Sequence, residues 1–223
     1  MAIGTLGERS LHAYVKQHYE PTGEYHEIPV GRFVADILRP DGEIIEVQTQ
    51  GFDRLRDKLA AFLPEHIVTV VYPIAHMKLV AWLDMETGEV LREKRSPKKW
   101  SAYDAFSELY KIKALLHEPN LRLRILLLDV TEYRCATKQN RKGYSRLNTI
   151  PHSVVSEMLI ESSADFAKLV PPSLPDEFTS FDYAKASRLR VPDAQTAVNV
   201  LAHVGVLTRV GKDGRRILYS RAE

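Results

Sequence analysis

Cys135 is the only cysteine in the chain, so neither a disulfide framework nor a cysteine-rich zinc site holds the fold together. Charge of one sign is not in excess either. Lys and Arg number 31 against 29 Asp and Glu, a formal net charge of +2. Bulk charge therefore does not announce a nucleic-acid binder, and any basic surface must come from how the charges are distributed. No apolar run approaches the ~20 residues of a membrane-spanning helix. The first residues, MAIGTLGERS, lack the apolar core of a signal peptide. No Gly-rich phosphate loop is present, which argues against a Rossmann unit. Internal repeats and low-complexity tracts are missing too. A cytoplasmic protein without a membrane partner is the expectation.

What is present reads as an ordinary globular chain, with 44% hydrophobic and 27% charged residues over a length of 223. That length suits one large domain or two small ones. Leu11, Tyr14, Val15 and His18 recur at helical spacing, which predicts a helix from Gly7 to Tyr19, ended by Pro21-Thr22-Gly23. Glu24 to Val30 reads as a strand. Phe52, Leu55, Leu59, Phe62 and Leu63 mark a helix that Pro64 closes. Ile67 to Tyr72 is a nearly continuous β-branched run, as in strands covered on both faces. Met77 to Asp84 reads as a further strand, Trp100 to His117 as a long helix, and Leu121 to Val130 as an apolar strand. This order of elements is that of an α/β sandwich around a mixed sheet.

The stretch RFVADILRPDGEIIEVQTQ, Arg32 to Gln50, carries the chemistry. Pro40-Asp41-Gly42 is a turn signal between two runs of strand character, so a hairpin is expected. Both strands are rich in large apolar residues, and a carboxylate on a covered sheet needs a compensating partner. Asp36 on one strand and Glu46 on the next are placed to converge on a divalent cation, since hard cations such as Mg²⁺ take carboxylate oxygens and keep several waters. The alternative is an ordinary ion pair of Asp36 with Arg32 or Arg39.

The pattern D-x9-E-x-Q across a hairpin resembles the active-site signature of the PD-(D/E)xK nuclease superfamily, which has the restriction-endonuclease-like fold. The order helix, hairpin, helix, apolar strand agrees with it. The resemblance implies that Asp36 and Glu46 bind Mg²⁺ or Mn²⁺, with the Val47 carbonyl as a further ligand. It also implies a catalytic position at Gln48, where the family usually has Lys. Gln48 can orient a water but adds no positive charge, and Lys58 on the following helix is a candidate for a migrated lysine. The family often carries an extra acid on its first helix, and Glu8 matches it. An acid in a first helical turn also suits the macrodipole without any catalytic role. His12, one turn further, reads as a surface residue rather than a neighbour of the site.

Two basic clusters follow, at Arg92 to Lys99 and at Lys138 to Arg146 around Tyr144. Each is either a solvated loop or a set of phosphate contacts. Pro151, Pro171-Pro172 and Pro175 frame a segment expected to be a helical linker, residues 146–172. From about Ser173 the pattern is a helix capped by Thr179 or Ser180, a turn at Arg190-Val191-Pro192, a second helix capped by Asp193, and a basic hairpin. This resembles a winged helix-turn-helix domain. In that fold the second helix enters the major groove, so Gln195, Thr196, Asn199 and His203 are implied as base-reading residues. Arg209, Lys212, Arg215 and Arg216 on the wing are implied as phosphate contacts. A winged helix used as a protein-docking module is the alternative. The combined expectation is a nuclease-like domain over residues 1–145, a linker, and a DNA-binding domain over 173–223. DNA is the partner, and a homodimer is allowed. A DNA-binding regulator built on a catalytically silent nuclease scaffold is the competing expectation.

Overall fold

The computed structural model describes residues 10–138 and 141–222. Helix α1 (Ser10–Tyr19) leads into β1 (His26–Val30), β2 (Phe33–Leu38) and β3 (Ile44–Val47). The β2–β3 turn follows from its residues. Gly42 takes a left-handed backbone at φ 87°, and the Asp41 carboxylate accepts from the Glu43 N–H at 3.0 Å. Helix α2 (Arg56–Phe62) continues a 3-10 turn over Phe52–Leu55. The Phe52 N–H that opens this helical segment donates to the Glu108 carboxylate at 2.9 Å, so the orphan donors at its start are satisfied from a distant part of the chain.

Next come β4 (Val68–Leu83), β5 (Val90–Arg95), α3 (Phe106–Leu109), β6 (Leu121–Ala136) and β7 (Tyr144–Ile160). One seven-stranded sheet runs β1-β2-β3-β4-β6-β7, with β5 paired to the outer part of β4. The β3–β4 and β4–β6 pairs are parallel and the others antiparallel. Successive residues of one strand fall into different hydrophobic clusters, as period-2 alternation demands. Ile44, Val70 and Ile125 pack with α2 and α3, whereas Ile45, Val71 and Leu126 pack with Val15 of α1. The mixed α/β architecture with a large sheet flanked by helices is therefore as expected.

Several expectations need correction. Residues 146–172 are not a helical linker. They form most of β7, followed by a 3-10 segment at Ser163–Leu169. Pro151, read as punctuation, sits inside β7 opposite Val130. Proline is tolerated there because β7 is an edge strand. The sheet thus continues to Ile160 instead of ending near residue 145. Val68–Leu83 is one strand, with an irregularity between Ala75 and Met77, where two had been expected. The expected helix at 100–117 is broken into a 3-10 turn (Ala102–Ala105), α3, and another 3-10 segment (Tyr110–Leu115) with a non-helical Ile112.

The C-terminal segment holds β8 (Glu177–Phe178), α4 (Ser180–Ser187), α5 (Val191–His203), β9 (Leu207–Asp213) and β10 (Arg216–Arg221), with the strands in the order β8-β10-β9. Thr179 is the N-cap of α4, in a capping box with Asp182. Helix α5 begins earlier than expected, with Pro192 in its first turn, and Asp193 pairs with Arg190 at 2.7 Å instead of capping. The segment shares its core with the sheet domain. Ala194, Ala197, Val200 and Leu201 of α5 join one buried cluster with Phe106, Leu109 and Ile112. Tyr183 is fully buried, its ring edge-on to Phe106, and its hydroxyl donates to the Leu169 carbonyl at 2.5 Å.

A common core makes a local lesson global. Tyr183→Phe should cost about 1–2 kcal/mol by leaving the Leu169 carbonyl unsatisfied, and Tyr183→Ala about 3–5 kcal/mol. Trp82 and Trp100 lie in the sheet domain, so urea unfolding followed by tryptophan fluorescence tests the coupling. A midpoint that does not move in Tyr183→Ala would show that the two segments unfold independently.

Candidate active site at the parting of two strands

The β2–β3 ladder pairs Leu38 with Ile44 and Ile37 with Ile45 and then stops. The next position inserts side chains where backbone carbonyls would otherwise accept. The Val47 N–H donates to Asp36 Oδ2 at 2.8 Å, and the Asp36 N–H donates to Glu46 Oε1 at 3.3 Å. Two carboxylates thus occupy the gap between the strands, each held by the other strand's backbone. Helix α2 sets Lys58 against them, with its ammonium 2.5 Å from Glu46 Oε2. Helix α1 supplies His12, whose Nε2 lies 3.2 Å from Asp36 Oδ2.

The environments of the two acids differ. The Glu46 side chain is 2% exposed and that of Asp36 is 16% exposed. Burial, and then the charge of Asp36, push the Glu46 carboxyl up to about 7, against the pull of Lys58. Burial acts in the same upward direction on Asp36. The bond and charge of His12, the Val47 N–H and the Lys58 charge outweigh it and hold Asp36 below its usual range. At neutral pH the pair therefore holds one firmly ionised carboxylate beside one poised near half-ionisation. Both hydrogen bonds of the Asp36 carboxylate among the described residues fall on Oδ2, which leaves Oδ1 for another partner.

The ordinary ion-pair alternative does not hold for Asp36. Arg39 bonds Glu43 at 2.7 Å, and the Arg32 guanidinium sits 4.9 Å over the Phe33 ring. Gln48 is not brought to the acids, since its amide donates to the Gln50 carbonyl at 2.5 Å. Its backbone N–H donates to Val71 as the parallel β3–β4 pair continues. Glu8 lies outside the described residues. His12 is the member that the sequence reading placed elsewhere. The signal was available, because His12 and Val15 lie one turn apart on a helix that packs against β3. Among the described residues, no group of three or more His, Cys, Asp or Glu is gathered for a metal ion.

The residues expected to touch DNA divide in two. Gln195, Asn199, Arg209, Arg215 and Arg216 line one cleft of about 320 Å³ between α4, α5 and the β9–β10 hairpin. The Arg216 guanidinium stacks 3.9 Å over the Phe181 ring there. Lys212 is exposed on β9. The remainder make contacts within the fold, although His203 stays exposed. Thr196 donates to the Pro192 carbonyl of its own helix at 3.1 Å. The His203 ring lies 4.9 Å from that of His117. Asn199 itself is partly occupied, accepting from Lys113 at 3.0 Å. The polar ridge expected at Thr196, Asn199 and His203 is thus partly engaged by contacts within the chain, with Thr196 and Asn199 half-buried and His203 exposed.

Residues 9–161 match the family model described as a domain of unknown function, DUF8091. The chain belongs to that family. The match ends where β7 ends, so the DUF8091 unit comprises the whole sheet and the Asp36/Glu46 site, and the C-terminal segment lies beyond it. An uncharacterized protein of Treponema pallidum (strain Nichols) is 29% identical over 224 residues, covering 99% of this chain and 88% of that protein. No solved structure matches. Among the described residues, no helix is long and apolar enough to cross a membrane.

The electrostatics of this DUF8091 site make a titration prediction. The folded chain favours protonated Glu46, so the stability contributed by that proton is full below the ordinary value of 4.5 and is lost as pH rises through about 7. Asp36→Asn removes one of the two causes. Carbon-13 NMR of the glutamate carboxyls should show Glu46 titrating lower in that variant, though still above 4.5 because burial remains. The loss of stability between the two pH values should shrink accordingly. A Glu46 titration unmoved by Asp36→Asn would mean that the two acids do not share a site.

Proposed function

We propose that the chain is a Mg²⁺- or Mn²⁺-dependent DNA endonuclease of the restriction-endonuclease-like kind. The observation that carries this reading is the meeting of Asp36, Glu46 and the Lys58 ammonium where β2 and β3 part. The donor set suits the ion, since two carboxylates from adjacent strands offer the hard oxygens that Mg²⁺ prefers. Asp36 and Glu46, with the Val47 carbonyl, would hold it. When bound, such an ion lowers the pKa of a water and stabilises the charge that builds on a phosphoryl group. Lys58 supplies the positive charge that Gln48 cannot, and it does so from the next helix instead of the next strand position. His12 keeps Asp36 ionised and fixes its carboxylate plane. The C-terminal segment adds duplex contacts through Arg209, Arg215 and Arg216 around the cleft, with Gln195 of α5 exposed beside them. Its core is shared with the sheet domain, so DNA binding belongs to the full chain.

One observation favours a second reading. Lys58 already occupies Glu46 Oε2, and Gln48 is turned to its own backbone. A silent scaffold carrying a DNA-binding regulator is consistent with that arrangement.

Incubation of the purified chain with plasmid and branched DNA, in Mg²⁺ or Mn²⁺ against EDTA, separates the two. Cleavage should require the cation and be lost in Asp36→Asn and Glu46→Gln. Lys58→Ala should slow it by about 10²–10³-fold, the scale for removing one charge-stabilising donor, while Gln48→Ala should change it little. Cation binding needs ionised Glu46, so the Mn²⁺-induced rise in melting temperature should grow as pH increases through about 7. Cutting that persists in EDTA, or survives Glu46→Gln in nuclease-free protein, refutes the assignment. Absence of cutting and of any Mn²⁺ response favours the regulator.

A further inference from the structure

Beyond Ala75 the sheet continues as a four-stranded arm of β5, β4, β6 and β7. Its register places Arg92, Trp82, Arg134 and Arg146 in one row across the four strands. Residues directly opposite share a face. Two positions along, Lys94 and Glu132 lie in the next row on the same face, either side of Val80. Tyr144, opposite Ala136, lies two positions the other way. One face of the arm thus gathers cations and rings that are scattered over more than fifty residues of sequence.

Charge on this face is one-sided. Glu132 is its carboxylate and is 1% exposed. Lys78 reaches it at 2.8 Å, Arg134 at 2.5 Å and Arg146 at 3.0 Å. Three cations around one acid leave two positive charges uncompensated, and Arg92 and Lys94 add two more. The buried acid also orders the guanidinium groups, so they are held in place rather than swinging free. Rings alternate with the cations. Arg92 sits 4.6 Å over Trp82, Trp82 meets Tyr144 edge-on at 5.7 Å, and Arg134 lies 4.0 Å over Tyr144. Lys138 and Arg141, which follow the end of β6 in the chain, are exposed and add further positive charge.

We propose that this face of the arm binds single-stranded nucleic acid. A four-stranded face is too broad to enter the major groove as a helix or a two-stranded ribbon does, whereas unpaired bases stack on aromatic rings while cations follow the backbone. Acidic peptide would satisfy the charges but not use the rings. The surface is separate from the Asp36/Glu46 site and needs no metal.

Fluorescence titration of the full chain in EDTA, with an oligothymidine of about 15 nucleotides, within the usual site sizes for such surfaces, tests this. Tryptophan emission should be quenched on binding, and affinity should fall steeply with salt. The paired change Arg92→Glu and Lys94→Glu, both at exposed positions, should weaken binding by tenfold or more. Trp82→Leu should weaken it about tenfold, the scale of one lost base stack, and Trp82→Phe should restore most of the affinity. If Trp82→Leu proves unfolded by its melting curve, the charge-reversal pair decides. Equal affinity for a duplex of the same length, equal competition by polyglutamate, or indifference to the charge reversal would overturn the proposal. Because the assay excludes metal, it can fail without bearing on cleavage, and cleavage can fail without bearing on it.

Discussion

The β4–β6 pair is the constraint on which the rest of the structure depends. Its 14 partnered positions are parallel, from Val68 and Leu121 to Trp82 and Arg134. A parallel pair cannot be closed by a tight turn, so the chain must cross over between the strands. That crossover, residues 84–120, makes β5 and the broken helix around α3, and α3 in turn caps the start of the segment leading to α2 through Glu108. The inner half of the pair is covered on both faces and anchors β3. The outer half projects as the arm. A single long pairing therefore positions a carboxylate site on one flank and a basic, aromatic surface at the far end.

The carboxylate site shows how a sheet stores polar chemistry without leaving orphan groups. Where β2 and β3 part, the Val47 and Asp36 N–H groups lose their ladder partners, and the two acids replace them. Satisfying the backbone is what holds each carboxylate in place, so the strands' bonding and the acids' positions come from the same contacts. The expense is electrostatic, because two acids in one partly buried gap disfavour each other's ionisation. Lys58 and His12, arriving from helices on opposite sides of the sheet, divide the compensation between them.

The C-terminal segment is bound into the same economy. Helix α5 buries one side against its own hairpin and another against residues 106–115. A helix covered on two sides has little free surface with which to read a groove. What remains open is the cleft where the hairpin arginines gather beside Gln195. The family model stops at residue 161, yet the relative aligned over 99% of the chain extends through this segment. The shared core gives a physical reason for the two parts to stay together.

Local chemistry was legible in the amino-acid sequence wherever the causes are local. The turn at Pro40-Asp41-Gly42, the helical spacing of Phe52 to Phe62, the cap at Thr179 and the facing of Asp36 toward Glu46 all follow from residues a few positions apart. Lys58 was legible as a candidate, since its helix follows directly on the hairpin. Tertiary structure alone decided the remainder. Residues 144–160 have mixed polarity and a proline, and only pairing with β6, a strand already in place, makes them an edge strand. The Gln48 amide bonds the Gln50 carbonyl of the segment that follows β3, which no pattern of residues announces. Asn199 and His203 turn toward Lys113 and His117, about 86 residues away in sequence, and contacts at that separation leave no local periodicity to read. The cationic face of the arm exists only in register. Arg92, Trp82, Arg134 and Arg146 become neighbours because four strands align them.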